Sequence, residues 1–370
     1  MLTEKQNFDR QAASLEGNAS APRRLLIAAS GTGGHLFPAL ALAEQLSDYQ
    51  IEWLGVPNRL EKDLVPAKYP LNTIAVEGFQ QRFGLGTLKI VGKFTTAIRS
   101  CRELLKRGKF NGVFTTGGYI AAPAIIAARS LGLPVILHES NAIPGKVTRF
   151  FGPWCQTVAV GFAAAAKLLP GSKTVYTNTP VRSQFLTPEK HDLPIPDDVL
   201  LIAVIGGSQG AVAVNKLVRQ SAKFWFEKGA WVVHQTGEND PDVANLQHPY
   251  YFPMPFYNNM AGLLQRANLV ISRAGAGSLT ELAVMGKPAI LIPYPFAAED
   301  HQTYNAKTFA DAGAALVFKQ SELTPEILRQ QVLSLLESPD KLQQMSEASL
   351  SLAVKDSAEI LAKLVRQFLE

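Results

Sequence analysis

At 370 residues the chain is longer than one ordinary domain of roughly 100–200 residues, so two domains of similar size are expected. A composition of 47% hydrophobic and 18% charged residues, with 28 glycines and 23 prolines, suits a globular α/β protein and excludes a disordered or fibrous chain. Cys101 and Cys155 are too few and too far apart for a disulfide framework or a zinc cluster, and the net charge of +5 favours an anionic partner without choosing among nucleotide, phospholipid and nucleic acid.

Residues 1–22 are polar and lack an apolar run, so they read as a disordered leader rather than a signal peptide. No stretch reaches the roughly 18 apolar residues of a membrane-spanning helix, which leaves a soluble or peripheral protein. From residue 25 short apolar runs alternate with helical patterns, the mark of a parallel sheet covered on both faces. Strands are expected at 25–30, 51–55, 73–77, 112–116, 134–140, 157–161 and 174–177. The segment 187–198, with three prolines and five charged residues, interrupts all periodicity and is the expected linker between a first domain at 23–186 and a second at 199–350. Second-domain strands are expected at 200–205, 231–235, 269–272, 288–292 and 315–318, with helices near 211–228, 258–266, 277–285 and 301–312. The segment 324–369 reads as wholly helical, and its last helix, within 351–370, is expected to return to the first domain.

Both halves open with a strand, a glycine turn and a helix: LLIAASGTGGH at 25–35 and LLIAVIGGSQG at 200–210. Two Rossmann-like domains follow, with ligands expected beyond the carboxyl ends of the strands. In Gly31-Thr32-Gly33-Gly34-His35 the glycines let backbone amides approach a ligand. The run is neither a Walker loop nor a complete GxGxxG. His35, in the first helical turn, is placed to take a proton from an attacking hydroxyl; a helix-start histidine bonded to nearby backbone is the alternative.

Thr115-Thr116-Gly117-Gly118-Tyr119 repeats the strand and glycine design. His138-Glu139-Ser140-Asn141 brings polar groups to a strand end, for ligand contact or for local turn bonding. Gly206 to Gly210 offers consecutive amides and the Ser208 hydroxyl to a diphosphate, and Arg182 is a charge-assisted donor or an interdomain surface arginine. The run Ser272 to Glu281 passes through small residues into a helix, where Glu281 either accepts ribose hydroxyls or compensates the helix dipole. Asp300, His301, Gln302 and Asn305 offer groups suited to sugar hydroxyls. Asp240-Pro241-Asp242 reads as a solvated turn, and neither metal nor cofactor is expected.

Taken in order, GTGGH, TTGGY, HExN, GGSQGA, SRAGAGSLTE and DHQTYNA resemble the MurG family from about Arg24 to the C-terminal helix. That family transfers N-acetylglucosamine from its UDP conjugate to undecaprenyl-diphospho-muramoyl-pentapeptide in peptidoglycan synthesis. The resemblance implies a GT-B fold, an acceptor-binding first domain, a donor-binding second domain and a peripheral place on the cytoplasmic face of the inner membrane. It puts Thr32, Gly33, Gly34 and Asn141 on the sugar and acceptor side, and Arg182 and Ser208 at the diphosphate. Tyr257 falls in the segment closing over uracil. Ala276, Gly277, Ser278, Leu279, Thr280 and Glu281 fall in the loop contacting sugar, diphosphate and ribose, and Gln302 reads the sugar hydroxyls. The family's Gly-Asn-Pro-x-Arg is here Asn178-Thr179-Pro180-Val181-Arg182, which puts contacts from the Asn position in doubt.

The implied reaction is a single inverting displacement by the muramoyl 4-hydroxyl, with His35 as base and no metal. The stretch 78–94, where Phe79, Phe83, Leu85, Leu88, Ile90, Val91 and Phe94 mingle with Arg82, Lys89 and Lys93, suits an anionic membrane surface or a core-facing helix. No nucleic-acid partner is expected. Other readings of the same plan are a UDP-N-acetylglucosamine 2-epimerase, a diacylglycerol glycosyltransferase, and a nicotinamide-binding oxidoreductase or nucleotide-binding module.

Overall fold

The structure, a computed structural model, describes residues 22–76, 85–207 and 210–369, and of residues 85–91 the backbone alone. The expected leader up to residue 21, Ser208, and the side chains of the apolar and basic stretch through Val91 lie outside the described residues.

Seven parallel strands form the first sheet: β1 (Arg23–Ala28), β2 (Tyr49–Gly55), β3 (Leu71–Thr73), β4 (Gly112–Thr115), β5 (Val135–Glu139), β6 (Thr157–Val160) and β7 (Thr174–Tyr176), in the order β3-β2-β1-β4-β5-β6-β7. Helices α1 (Gly33–Gln45), α2 (Glu61–Leu64), α3 (Leu85–Gly108), α4 (Ala121–Arg129), α5 (Lys146–Phe151) and α6 (Ala163–Ala166) connect them. Six more parallel strands form the second sheet: β8 (Leu201–Ile205), β9 (Trp231–Gln235), β10 (Tyr251–Met254), β11 (Leu269–Ser272), β12 (Ala289–Leu291) and β13 (Ala315–Val317), in the order β10-β9-β8-β11-β12-β13. With them run α7 (Val212–Phe226), α8 (Met260–Arg266), α9 (Ala276–Val284), α10 (His301–Asp311), α11 (Pro325–Leu336), α12 (Pro339–Ser351) and α13 (Ser357–Leu369). Fully buried β-branched and leucine residues fill the central strands, as two-sided burial requires. This is the GT-B arrangement of two α/β lobes.

Three details differ from the expected elements. Strand β3 ends at Thr73, paired with Gly55 at the end of β2, whose carbonyl accepts from the Ile74 backbone at 3.0 Å. Strand β10 was absent from the expected set. Pro253 interrupts its pattern, and β10 tolerates a proline because it is the edge of its sheet. The segment 324–369, expected to be wholly helical, is divided into three helices. Pro339 forces Ser338 out of helical geometry (φ −128°, ψ 75°), and a second break follows α12.

Helix α13 packs Leu361, Ala362 and Val365 against Leu25, Ile27 and Trp53 of the first sheet. Arg366 on α13 donates to the Gln45 carbonyl at 2.9 Å and to Asp48 at 2.6 Å, satisfying the end of α1. Fully burying such side chains contributes about 1.5–3 kcal/mol each, enough to tie the chain's end to the first lobe.

Candidate active site

In each sheet the strand order reverses beside the first strand, between β1 and β4 and between β8 and β11. Open α/β sheets bind ligands at such points, beyond the carboxyl ends of the strands.

After β1 the chain turns at Gly31, whose φ of +104° suits glycine, and enters α1 with Thr32 at the N-cap. No side chain caps this helix. His35 is half-buried in its first turn, and its Nδ1 lies 2.8 Å from the Thr116 carbonyl oxygen at the end of β4. A carbonyl only accepts, so Nδ1 bears the hydrogen and the lone pair falls on Nε2. The turn after β4 brings Gly118 (φ +72°) beside that nitrogen, where an added Cβ would stand 3.6 Å from Nε2.

In the second lobe α9 starts at Gly275 with neither a capping side chain nor an acidic residue in its first turn. The amides of Ala276, Gly277 and Ser278 therefore lack partners within the helix. A Cβ on Gly275 or Gly277 would meet nothing within 4 Å. The result is a bare, electropositive helix start beside open space, suited to an anion. Leu279 and Thr280 point inward: Leu279 is fully buried, and the Thr280 hydroxyl donates to the Ala276 carbonyl at 3.0 Å. Helix α9 lies against α1, which brings the two helix starts to one cleft.

Arg182 spans that cleft. Its Nη2 donates to Glu281 Oε1 at 2.9 Å, and its guanidinium lies 3.9 Å over the Phe37 ring of α1 and 4.8 Å over Phe185. Burial holds the Glu281 carboxyl above the usual carboxylate range, against the pull of Arg182. Phe37 was not among the sequence candidates, and no local pattern marks it, because its partner is distant in the chain.

The strand-end run after β5 divides in two. His138 is fully buried, with Nε2 on the Asn178 carbonyl at 3.2 Å, and burial pushes it down to about 4, so it is a neutral internal group. Glu139 accepts from the Asn141 backbone at 3.1 Å, the Gly145 backbone at 3.0 Å and the Thr148 hydroxyl at 2.7 Å, which shapes the loop presenting Asn141.

On α10, Gln302 Oε1 accepts from the backbone of Ala274 at 3.1 Å and of Tyr294 at 2.9 Å. Two backbone donors identify that atom as oxygen and leave Nε2 as the donor for a ligand. Asn305 is fully buried, with its amide bonded to Ala142, Asn141 and Ala274. Tyr257 donates its hydroxyl to Asp192 of the 187–198 segment at 2.5 Å, and burial with that bond pushes its phenol up to about 12. Its neighbour Phe256 is the exposed ring.

The reading of Asp240 as part of a solvated turn is corrected. Asp240 is buried, receives Arg219 of α7 through both oxygens at 2.6 and 3.1 Å, and accepts from Asn215 at 2.8 Å. The arginine that neutralises it is 21 residues away, out of reach of a local reading. Among the described residues no three His, Cys, Asp or Glu side chains come together as metal ligands.

Residues 25–160 match the N-terminal domain of glycosyltransferase family 28, and residues 201–361 match its C-terminal domain. The chain is 68% identical over 355 residues to the UDP-N-acetylglucosamine–N-acetylmuramyl-(pentapeptide) pyrophosphoryl-undecaprenol N-acetylglucosamine transferase of Nostoc punctiforme, covering 95% of this chain and 99% of that one. The chain belongs to the MurG family. Its fold superposes on the crystal structure of MurG from Acinetobacter baumannii with a TM-score of 0.76 at 32% identity, over 94% of this chain and 100% of that one. A UDP-N-acetylglucosamine 2-epimerase superposes with a TM-score of 0.66 at 14% identity, over 94% and 97% of the two chains, which shows the shared fold alone.

Within the MurG family motif before the linker, Asn178 stands where glycine is common. Its φ is +59°, in the left-handed region that asparagine tolerates best among residues with a side chain. Thr179, at the family's asparagine position, is fully buried with its hydroxyl toward the Ser140 carbonyl at 3.5 Å. It packs inside the first lobe and offers no side-chain contact to the cleft.

Proposed function

We propose that this chain transfers N-acetylglucosamine from UDP-N-acetylglucosamine to the 4-hydroxyl of a polyprenyl-diphospho-N-acetylmuramoyl-pentapeptide, inverting the anomeric carbon. The overall activity is that of the MurG relatives, and this chain keeps their identity along nearly its whole length. The observation that supports the chemistry is the pairing of His35 Nε2, lone pair outward, with the uncapped start of α9 in the opposite lobe.

The donor diphosphate lies on the amides of Ala276 to Ser278, with Arg182 and Ser208 as further donors. Charge grows on UDP as the glycosidic bond breaks, and preorganised amides and a guanidinium stabilise it most in the transition state. Glu281 then takes the ribose hydroxyls, Tyr257 and Phe256 flank the base, and Gln302 donates to the sugar. Thr32, Gly33, Gly34 and Asn141 receive the acceptor, whose hydroxyl passes its proton to His35 Nε2 as oxygen attacks. No metal is required in this reading.

The acceptor's lipid calls for contact with an anionic membrane from the cytoplasmic side. Among the described residues no helix is long and apolar enough to cross a membrane. On the first lobe, however, Phe150 and Trp154 are 68% and 44% exposed and pack edge-on through Phe151. Exposed Lys146, Lys167 and Lys173 flank them, and residues 140–188 include no acidic side chain. Aromatic and basic groups mixed in this way suit the headgroup layer. Liposome sedimentation unchanged by replacing Arg82, Lys89 and Lys93 with Glu would remove the 78–94 stretch from the membrane contact.

The test of function is incubation of purified protein with UDP-N-acetylglucosamine and either the muramoyl-diphospholipid or a diacylglycerol. Mass spectrometry is expected to find hexosamine on the muramoyl lipid, joined by a β linkage in the product's NMR spectrum. Hexosamine on the diacylglycerol, or donor epimerised without an acceptor, would contradict the proposal.

A further inference from the structure

The run Asp240-Pro241-Asp242 after β9 has no part in the chemistry above, yet its first carboxylate is almost wholly buried. The Asp240 and Arg219 side chains are 1% and 7% exposed. Each Asp240 oxygen takes two donors. Oδ2 accepts from Arg219 Nη1 at 2.6 Å and Asn215 Nδ2 at 2.8 Å, and Oδ1 accepts from Arg219 Nη2 and the Asp242 backbone, both at 3.1 Å. An amide in this place would turn its NH2 against two donors whichever way it faced, so the site calls for a carboxylate.

That charge orders a buried network. Because a carboxylate only accepts, Asn215 turns its Nδ2 toward Asp240, and the same nitrogen donates to the Thr236 carbonyl at 2.8 Å. Asn215 Oδ1 then faces His234, whose Nε2 lies 3.0 Å away and so carries the hydrogen, leaving Nδ1 to accept from the Tyr251 hydroxyl at 2.8 Å. Asn215 and His234 are fully buried and Tyr251 nearly so. Burial pushes His234 down to about 3, so the ring is neutral and its neighbours choose its tautomer.

The network ends at the glycine turn of the second lobe. Asn215 stands in the first turn of α7, the helix into which Gly206 to Gly210 lead. The Thr236 carbonyl that it holds lies against Gly210, whose φ is +75° and where an added Cβ would stand 2.4 Å from the Thr236 oxygen. Gly206 is fastened to the same strand end, its backbone donating to the Gln235 carbonyl at 3.2 Å. Thr236 is held from its other side by β10, its backbone and hydroxyl donating to the Met254 carbonyl at 2.8 and 3.2 Å. Both ends of the turn at 206–210 therefore rest on residues 235 and 236, and Asp240 orients the Asn215 side chain that bonds this segment to α7.

We infer that Asp240, held by Arg219, is a positioning residue for the donor's diphosphate: through Asn215 and Thr236 it fixes the turn at Gly206 to Gly210 and touches no substrate. The inference rests on the transferase reading above, in which Ser208 of that turn donates to the diphosphate. A buried ion pair is weak ground for stability, and this one has a task in binding.

The test uses the full chain with Asp240→Asn. Asp240→Ala combined with Arg219→Ala, which strands no buried charge, gives the same reading if the first variant does not fold. UDP and uridine are titrated separately, by calorimetry and by NMR, because only UDP carries the diphosphate. UDP affinity is expected to fall about tenfold, the size of one displaced charged hydrogen bond, while uridine affinity stays within about twofold. In turnover, kcat/KM for UDP-N-acetylglucosamine should fall by a similar factor, and KM for the muramoyl lipid, received by the other lobe, should hold within about twofold. Nitrogen NMR of the histidines adds a readout that a plain loss of stability does not move. His234 should be protonated at Nε2 in the unaltered chain and shared between its two nitrogens in the variants. Unchanged UDP affinity in a folded variant, an equal loss for uridine, a matching rise in KM for the lipid, or a His234 tautomer indifferent to Asp240 would overturn the inference. If the unaltered chain transferred no sugar, the transferase reading would fail, and the titrations, which need no turnover, would still decide the role of Asp240.

Discussion

The helix that opens after β1 and the helix that opens after β11 begin alike, with a glycine turn and no capping side chain. They differ in what they present to the cleft. On α1 the first turn carries a side chain, His35, whose tautomer is set by the Thr116 carbonyl. On α9 the first turn is bare, with Gly277 open to space and the side chains of Leu279 and Thr280 turned inward. One lobe thus offers a group that can change protonation state, and the other offers fixed backbone dipoles. We propose that the same strand–glycine–helix plan serves proton transfer on one side and anion binding on the other, the first turn holding an imidazole on α1 and only small residues, Ala276, Gly277 and Ser278, on α9.

This contrast can be broken most sharply at His35. Replacing it with Ala should lower kcat by about 10²- to 10⁴-fold while leaving the UDP-N-acetylglucosamine affinity measured by calorimetry nearly unchanged. A parallel loss of affinity would mean that α1, too, is a binding element. On the opposite side Arg182→Ala removes a charged donor and strands the buried Glu281 carboxylate. Donor affinity should fall roughly 10- to 100-fold, as expected for hydrogen bonds to charged groups, with calorimetry as the readout.

The contrast between histidines sharpens it further. His138 is held by burial at about 4, below its ordinary 6.5, so the stability it contributes is present above pH 6.5 and lost as pH falls through about 4. By this linkage it accounts for on the order of 2 kcal/mol of lost stability between pH 7 and 4.5. Urea unfolding at both pH values should show that the His138→Gln variant has a shallower pH dependence than the unaltered chain. The smallest effect is expected at Gly277→Ala. The added methyl meets no protein atom, so stability should rise by about 0.5–1 kcal/mol, while the KM for donor increases because the group enters the open side of the helix start. Lower donor KM in that variant would count against the helix start as the diphosphate site.

Much of this was legible in the chain because the information is local. The turns at 31–35, 206–210 and 273–278 read as glycine-rich strand-to-helix connections, and the periodicity placed both sheets, with β10 alone escaping because Pro253 masks an edge strand. What escaped is set by tertiary pairing. Asp240 looked solvated because Arg219, which neutralises it, lies on a different element. The amide of Asn305 reads from the sequence as a group suited to sugar hydroxyls, and its bond to Asn141 of the other lobe, 164 residues away in the chain, has no local signal. His138 and His35 are equivalent as letters, and burial alone separates them.

The central claim is that donor diphosphate rests on the bare start of α9 while His35 faces the sugar from across the cleft. Crystals soaked with UDP-N-acetylglucosamine test this directly. The account predicts phosphate oxygens within hydrogen-bonding distance, about 3 Å, of the Gly277 and Ser278 amides, with the anomeric carbon turned toward His35. A donor bound with its diphosphate on the α1 turn, or outside the cleft between the lobes, would contradict it.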